Sequence, residues 1–171
     1  MKKLLLSAIV ILGFTAVSFG QSQATATANT TLITPISIAK SVDLRFGTIA
    51  SSNTDGTISI TSTSGGTVAV SGGVTQVSGS TTSSAKFTVT GEGGSSISIL
   101  YPTDPILLTN TTGGKTNTLS LAPSIPSSGA SAHLSSGTLD IYVGGVLSVP
   151  ALTVSGVYTN TTDLTLIVNY N

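Results

Sequence analysis

"AKFTVTGEGGSSISI", Ala85 to Ile99, sets two runs of β-forming residues on either side of a glycine-rich tip. Ala85 to Thr90 and Ser96 to Tyr101 alternate or carry β-branched side chains, the composition of a pleated, half-buried strand. Gly91-Glu92-Gly93-Gly94 between them reads as a hairpin tip, because glycine accepts positive φ without steric penalty. A phosphate loop would need a helix N-terminus directly after it; no helical pattern follows, and the neighbouring charge is acidic.

Outward from this stretch the same grammar repeats. Short alternating or β-branched runs occur at Leu32 to Ile38, Val42 to Phe46, Thr57 to Thr61, Thr67 to Ser71, Ile106 to Leu108, Thr118 to Ala122, Thr138 to Val143 and Asp163 to Tyr170. Gly-Gly pairs punctuate them at 65/66, 72/73, 93/94, 113/114 and 144/145, each a natural turn or connection. No stretch carries apolar residues at helical spacing over three turns. About eight to ten strands without helices predict an all-β fold, a single antiparallel β-sandwich of immunoglobulin-like type. The Gly/Ser-rich stretches Gly72 to Ser84 and Ser124 to Ser136 read as long loops between strands.

The ending "TDLTLIVNYN" puts Leu164, Leu166, Val168 and Tyr170 on one face and Asp163, Thr165, Asn169 and Asn171 on the other, with Ile167 breaking the alternation. Near the other end, Ala24, Ala26 and Ala28 alternate with Thr25, Thr27 and Asn29, and the same parity continues through Leu32, Ile36 and Ile38. This predicts one long extended segment with a weak, small-residue front. Pro35 lacks a ladder donor, which suits an edge or a sheet-switching position.

Residues 1–20 read as a signal peptide: Lys2 and Lys3 precede an apolar run from Leu4 to about Val17, and Ser18 and Gly20 are small residues before a cleavage at Gln21. The run is shorter than the ~20 residues that cross a bilayer, and nothing later in the mature chain reads as a transmembrane segment. The expectation is an exported protein of the periplasm, outer cell surface or extracellular space, with one domain over residues 21–171. That mature chain has four basic and six acidic residues, a net charge of −2, which argues against nucleic acid as a partner. Charged residues are 7% of the whole chain, and 53 mature residues are Ser or Thr, so the surface is solvated by hydroxyls and repels its neighbours weakly. Cysteine is absent, and burial and hydrogen bonding alone must hold the fold.

Catalysis is hard to assemble from one histidine, no cysteine and singly scattered carboxylates. His133 lies in a polar stretch and reads as a solvated loop histidine; no catalytic, cofactor-binding or metal-ligating residues are expected. Ser52-Asn53-Thr54-Asp55-Gly56 has the outline of a calcium loop, but one carboxylate cannot supply the charged oxygens this cation requires. A turn is expected there, with Gly56 at positive φ. Asn-Thr-Thr triplets at Asn29, Asn110 and Asn160 formally match glycosylation acceptors. Aromatic platforms for sugars are scarce, since Phe46, Phe87, Tyr101, Tyr142, Tyr158 and Tyr170 sit mostly at parity that reads as buried.

"ATATANTTLITPISIAKSVDLRFGTI" (24–49), "GGTVAVSGG" (65–73), Ala85 to Ile99 and "GVYTNTTDLTLIVNYN" (156–171) resemble a family of secreted bacterial proteins known as domain of unknown function 4402, across essentially the whole mature chain. That family is similar to the spore coat protein U domain and to pilins of the chaperone-usher pathway, which are immunoglobulin-like sandwiches. Leu44-Arg45-Phe46-Gly47 resembles the early pilin "LDFG" element, and Gly156 lies fourteen residues before Tyr170. The resemblance implies strand addition, in which main-chain hydrogen bonds give affinity and alternate side chains give register. Leu164, Leu166, Val168 and Tyr170 would then form the strand-addition or chaperone face, and Ala24, Ala26 and Ala28 the donor strand. The partner would be the protein itself or a periplasmic chaperone. The reading is a non-enzymatic exported structural protein, such as a pilus-like or matrix subunit; the alternative is a monomeric secreted adhesin or glycan-binding module.

Overall fold

The computed structural model of the protein describes residues 20–110, 117–125 and 132–171. Of the signal peptide expected over residues 1–20, all but Gly20 lies outside the described residues, as does the glycine pair at 113/114. By contacts the chain divides into two units, Met1–Leu32 and Ile33–Asn171. In the first, residues 20–32 form no strand and are exposed throughout.

The second unit is all-β among the described residues. Its strands are β1 (Ser37–Val42), β2 (Ile49–Ile60), β3 (Val68–Gln76), β4 (Ala85–Thr90), β5 (Ser96–Leu100), β6 (Ile106–Asn110), β7 (Asn117–Ser124), β8 (Ala132–His133), β9 (Thr138–Val149) and β10 (Ile167–Tyr170). All pairings are antiparallel. One seven-stranded sheet follows the order β1-β4-β9-β2-β3, with β7 also on β9 and β6 on β7; a three-stranded sheet follows β10-β5-β8.

Strand β9 explains how one sheet serves two places. Its first half, Thr138 to Val143, pairs β4, and its second half, from Gly144 to Val149, lies between β2 and β7. The change of partner falls at Gly144-Gly145. A Cβ on Gly144 would stand 2.1 Å from the carbonyl oxygen of Ile60, and one on Gly145 would stand 2.7 Å from that of Ala122. Only a residue without a side chain lets the neighbouring backbones approach this closely.

The core is correspondingly double. A first cluster packs Ala85, Phe87 and Val89 of β4 and Ile141 and Val143 of β9 against Ile97, Ile99 and Val168 of the smaller sheet, with Leu134 and Leu166. This is the sandwich that the alternation predicts. A second cluster gathers Ile58 and Ile60 of β2, Val74, Ile106, Leu119, Leu121, and Leu147 and Val149 of β9. Phe46 is buried within it, and Leu44, Tyr158 and Leu164 pack against it from segments that are not strands.

Several local expectations are corrected. Gly91–Gly94 turns the chain, but β4 and β5 lie in different sheets, so this is a sheet-to-sheet crossing and not a hairpin tip. Gly65-Gly66 does close a hairpin, joining β2 to β3 with φ of 80° and 63°. Gly72-Gly73 sits inside β3, opposite a bulge where residues 52–55 of β2 bow out between the pairs Ser51↔Val74 and Gly56↔Gly72. Positive φ falls at Gly72 (66°), not at Gly56, whose missing side chain instead clears the carbonyl of Ser71. The expected turn at 52–56 is thus a bulge within one strand, tied down where Asp55 Oδ1 accepts the Ala151 N–H at 2.7 Å.

The strand expected from Leu32 begins only at Ser37, two residues beyond Pro35, which cannot donate to a ladder. Of the run Val42 to Phe46, Val42 closes β1 opposite Lys86 and the rest keeps one bridge, Arg45 with Ser83, before Gly47, where φ is 77°. The closing strand is also shorter than its alternation. Asn160 Oδ1 accepts the N–H groups of Thr162 and Asp163, and the Thr165 N–H reaches the carbonyl of Asp163. These local bonds hold residues 160–165 as a turn and leave only Ile167–Tyr170 for the ladder. Ala132–His133, in the stretch read as a loop, forms a short strand on β5.

Candidate functional site

The closing strand keeps its side-chain parity even where the ladder is lost. Leu166 and Val168 are buried in the first cluster, Tyr170 packs half-buried against it, and Leu164 touches both clusters. Ile167, the break in alternation, points the other way: it is 52% exposed beside its cross-strand partner Leu100, 53% exposed. The four residues expected on one face therefore share it, covered by this chain's own core.

Among the described strands, β10 pairs only with β5, and β1 only with β4. Each presents one ladder edge on the flank of the first cluster, since Ile38 of β1 and Val168 of β10 both belong to its packing. Such edges are the template on which an added strand forms. Ala24, Ala26 and Ala28, the expected donor residues, are exposed and belong to no strand.

Between the two clusters runs a cleft of about 590 Å³. Leu44 and Phe46 line it from the segment after β1, Phe87 from β4, Ile106 and Leu121 from β6 and β7, and Leu164 from the turn before β10. Lys40, Asp43 and Arg45 stand at its lining as the charged members. Asp43 hydrogen-bonds Lys40 and has Arg45 Nη2 at 3.6 Å; the Lys40 bond chiefly holds its carboxyl below the usual range. Leu44 and Phe46 fall within the "LRFG" stretch singled out in the sequence. Leu108 lines it from β6, within the run read as Ile106 to Leu108, whereas Tyr158 gave no periodic signal because it reaches the cleft from irregular backbone.

At the far end of β10, the Tyr170 phenol oxygen accepts the Glu92 N–H at 2.6 Å and donates to the Thr34 carbonyl at 2.7 Å. The Thr34 N–H in turn donates to Glu92 Oε2 at 2.9 Å, and this bond lowers the Glu92 pKa. The alternation in the sequence placed the Tyr170 ring but carried no sign of what the hydroxyl binds.

The remaining residues singled out are placed as follows. His133 is exposed on β8, its Nδ1 3.2 Å from Ser96 Oγ, and no carboxylate bonds the ring among the described residues. No group of three His, Cys, Asp or Glu that could hold a metal occurs among them either. Of the glycosylation triplets, Asn29 is exposed, Asn110 is buried with Nδ2 toward the Ser155 carbonyl, and Asn160 spends its amide on Leu107 and Asp163. The six aromatic residues after residue 20 are all buried or half-buried. No helix among the described residues is long and apolar enough to cross a membrane.

The profile of the domain of unknown function (DUF4402) matches residues 36–170. No curated protein and no solved structure matches the chain. The matched span runs from just before β1 to the penultimate Tyr170 and covers well over half of the sequence, so the chain belongs to the domain of unknown function 4402 family.

Proposed function

We propose that the mature chain is a non-enzymatic, exported structural protein of the cell surface or extracellular matrix, a pilus-like subunit that associates by strand addition. The observation that carries this reading is the pairing of two features: β1 and β10 each keep one ladder edge beside the first core, and residues 20–32 form an exposed segment without a strand. The segment alternates Ala with Thr or Asn, so added to an edge it would present methyl groups to one face and hydroxyls to the other. The occupant of the edge is a second copy of the chain, or a periplasmic chaperone before assembly.

Energetics shape the expected assembly. Main-chain hydrogen bonds supply affinity in strand addition, while three alanines bury little at ~0.8 kcal/mol per methylene-sized group. The association is therefore reversible and concentration-dependent. Low charge supports it, because neighbouring surfaces repel weakly.

Deletion of residues 21–31 tests the reading. Sedimentation of the purified mature protein should show concentration-dependent multimers that the deletion abolishes, with the far-ultraviolet spectrum of the sandwich unchanged. Multimers that persist after the deletion would sink it.

A further inference from the structure

Building on strand addition as the protein's role, we infer that Tyr170 is a positioning residue, whose phenol oxygen pins the joint where the N-terminal segment enters the sandwich and so prepares that segment for donation. Thr34 lies one residue inside the second unit, directly after the strand-free stretch. Pro35 follows it and has no N–H, and β1 starts only at Ser37. No ladder therefore holds the chain at Thr34. Its backbone is held by two bonds, Thr34 N–H to Glu92 Oε2 and Thr34 carbonyl from the Tyr170 hydroxyl, and a third, Glu92 N–H to the same phenol oxygen, ties the two partners together. The hydroxyl donates once and accepts once, so it welds the N-terminal joint to the crossing between β4 and β5.

The crossing is shaped to receive the phenol. A Cβ on Gly91 would lie 2.3 Å from the Tyr170 hydroxyl oxygen and 3.0 Å from Leu134 Cδ1. Gly91 is not at positive φ, so turn geometry does not account for it; room for the phenol does. Its N–H meanwhile bonds the Gly137 carbonyl at 3.0 Å, and Gly94 N–H bonds Leu134, which fixes the crossing against the start of β9. The latch thus rests on a rigid support. A donor segment whose root is fixed samples fewer orientations before it meets a neighbour's edge, and preorganisation of this kind raises association without adding a contact to the interface.

The test uses the full mature chain with Tyr170→Phe, which keeps the buried ring and removes only the hydroxyl. Hydrogen exchange should show the Thr34 and Glu92 amides opening roughly fivefold to thirtyfold faster, while Val89 and Ile97 in the core keep their protection. Multimer formation at fixed concentration should slow by at least about fivefold, the lower end of the same range. Glu92→Gln retains an amide oxygen for the Thr34 N–H and should stay near wild type; Glu92→Ala should resemble Tyr170→Phe. Gly91→Ala, which leaves the hydroxyl in place but crowds it, should open the same two amides. Unchanged exchange at Thr34 in Tyr170→Phe would overturn the latch. Faster exchange with unaltered assembly would overturn the positioning role and leave a structural bond. A wild-type chain that never multimerises, yet shows the exchange effect, would overturn strand addition while leaving the latch itself standing.

Discussion

The two clusters of this molecule share strand β9 and yet are closed in different ways. The first is a two-sheet sandwich, with β4 and β9 facing β5 and β10, so each apolar side chain meets another across the layers. The second is built on one face of the longer sheet and is finished by Phe46, Leu44, Tyr158 and Leu164, which come from irregular segments. Where two ladders face each other the packing is regular; where loops complete it, a cleft of about 590 Å³ remains. Apolar patterning alone therefore does not secure a filled interior. The geometry of what covers each face matters as much.

Truncations at matched depth should separate the regions most strongly. Ile97 is fully buried in the first cluster, and Ile97→Ala should lose about 4 kcal/mol, near the upper part of the 2–5 kcal/mol range for such deletions. Ile106 is nearly as buried, at 4% exposure, but lines the cleft, and Ile106→Ala should lose only about 2 kcal/mol because it enlarges an opening that water already reaches. Urea unfolding monitored by tyrosine fluorescence gives both values. Equal losses would mean that the cleft closes in solution.

This contrast also explains what could be read from the chain. Ala85, Phe87 and Val89, then Ile97 and Ile99, alternate in sequence because two regular faces alternate in space, and β4 and β5 fall where the pattern puts them. Leu166 and Val168 kept the predicted face too, though the Asx turn at Asn160 consumed the first part of that strand. The second region was legible only in part: the runs holding Ile58, Ile60, Leu119 and Leu121 are there and Phe46 is buried as its run suggests, but Tyr158 reaches the same core from backbone with no period to detect. The glycine pairs show a further limit. At 65/66 the dipeptide supplies positive φ, while at 144/145 it supplies close approach between backbones, and local sequence does not distinguish these uses. The open edges of β1 and β10 follow from strand order, which alternation leaves unspecified; the Tyr170 latch depends on bonds between residues far apart in the chain.

The seam between the regions is the next place to press. In Gly144→Ala a methyl group would press on the Ile60 carbonyl, a backbone atom with little freedom to yield, so the ladder itself must open. The expected loss is about 3 kcal/mol, at the top of the usual range for overpacking. Gly94→Ala offers the control, because nothing lies within 4 Å of its Cβ position and only its φ of 79° is strained. It should lose about 1 kcal/mol, the amount by which alanine resists the left-handed region. Thermal unfolding of the two variants ranks them, and an equal ranking would remove the argument that β9 changes partners through a point of backbone contact.

The smallest expected effects come from the charged groups that flank each region. Asp140 lies on the outer side of the first, where Lys86 Nζ at 2.9 Å and the Thr88 hydroxyl at 2.7 Å hold its carboxyl below the ordinary range. Asp43 stands at the cleft of the second, lowered chiefly by its bond with Lys40 and further by Arg45. A carboxylate lowered on folding adds stability that is complete above the unfolded value of about 4 and disappears as pH falls through the lowered folded value. Lys86 runs in the opposite sense: its pKa is raised by Asp140, so its contribution is complete below about 10.4 and is lost as pH rises through the raised value. Asp43→Asn and Asp140→Asn should therefore each flatten the acid side of the urea midpoint against pH, and Asp140→Asn should flatten the alkaline side as well. Salt distinguishes them, because at 1 M the screening length shrinks to about 3 Å and weakens the Arg45 and Lys40 attractions at Asp43, while the neutral Thr88 hydroxyl continues to bond Asp140. The acid limb due to Asp140 should then outlast the one due to Asp43. If both vanish together in high salt, the hydroxyl contributes nothing, and the two regions are alike in how their surface charges are held.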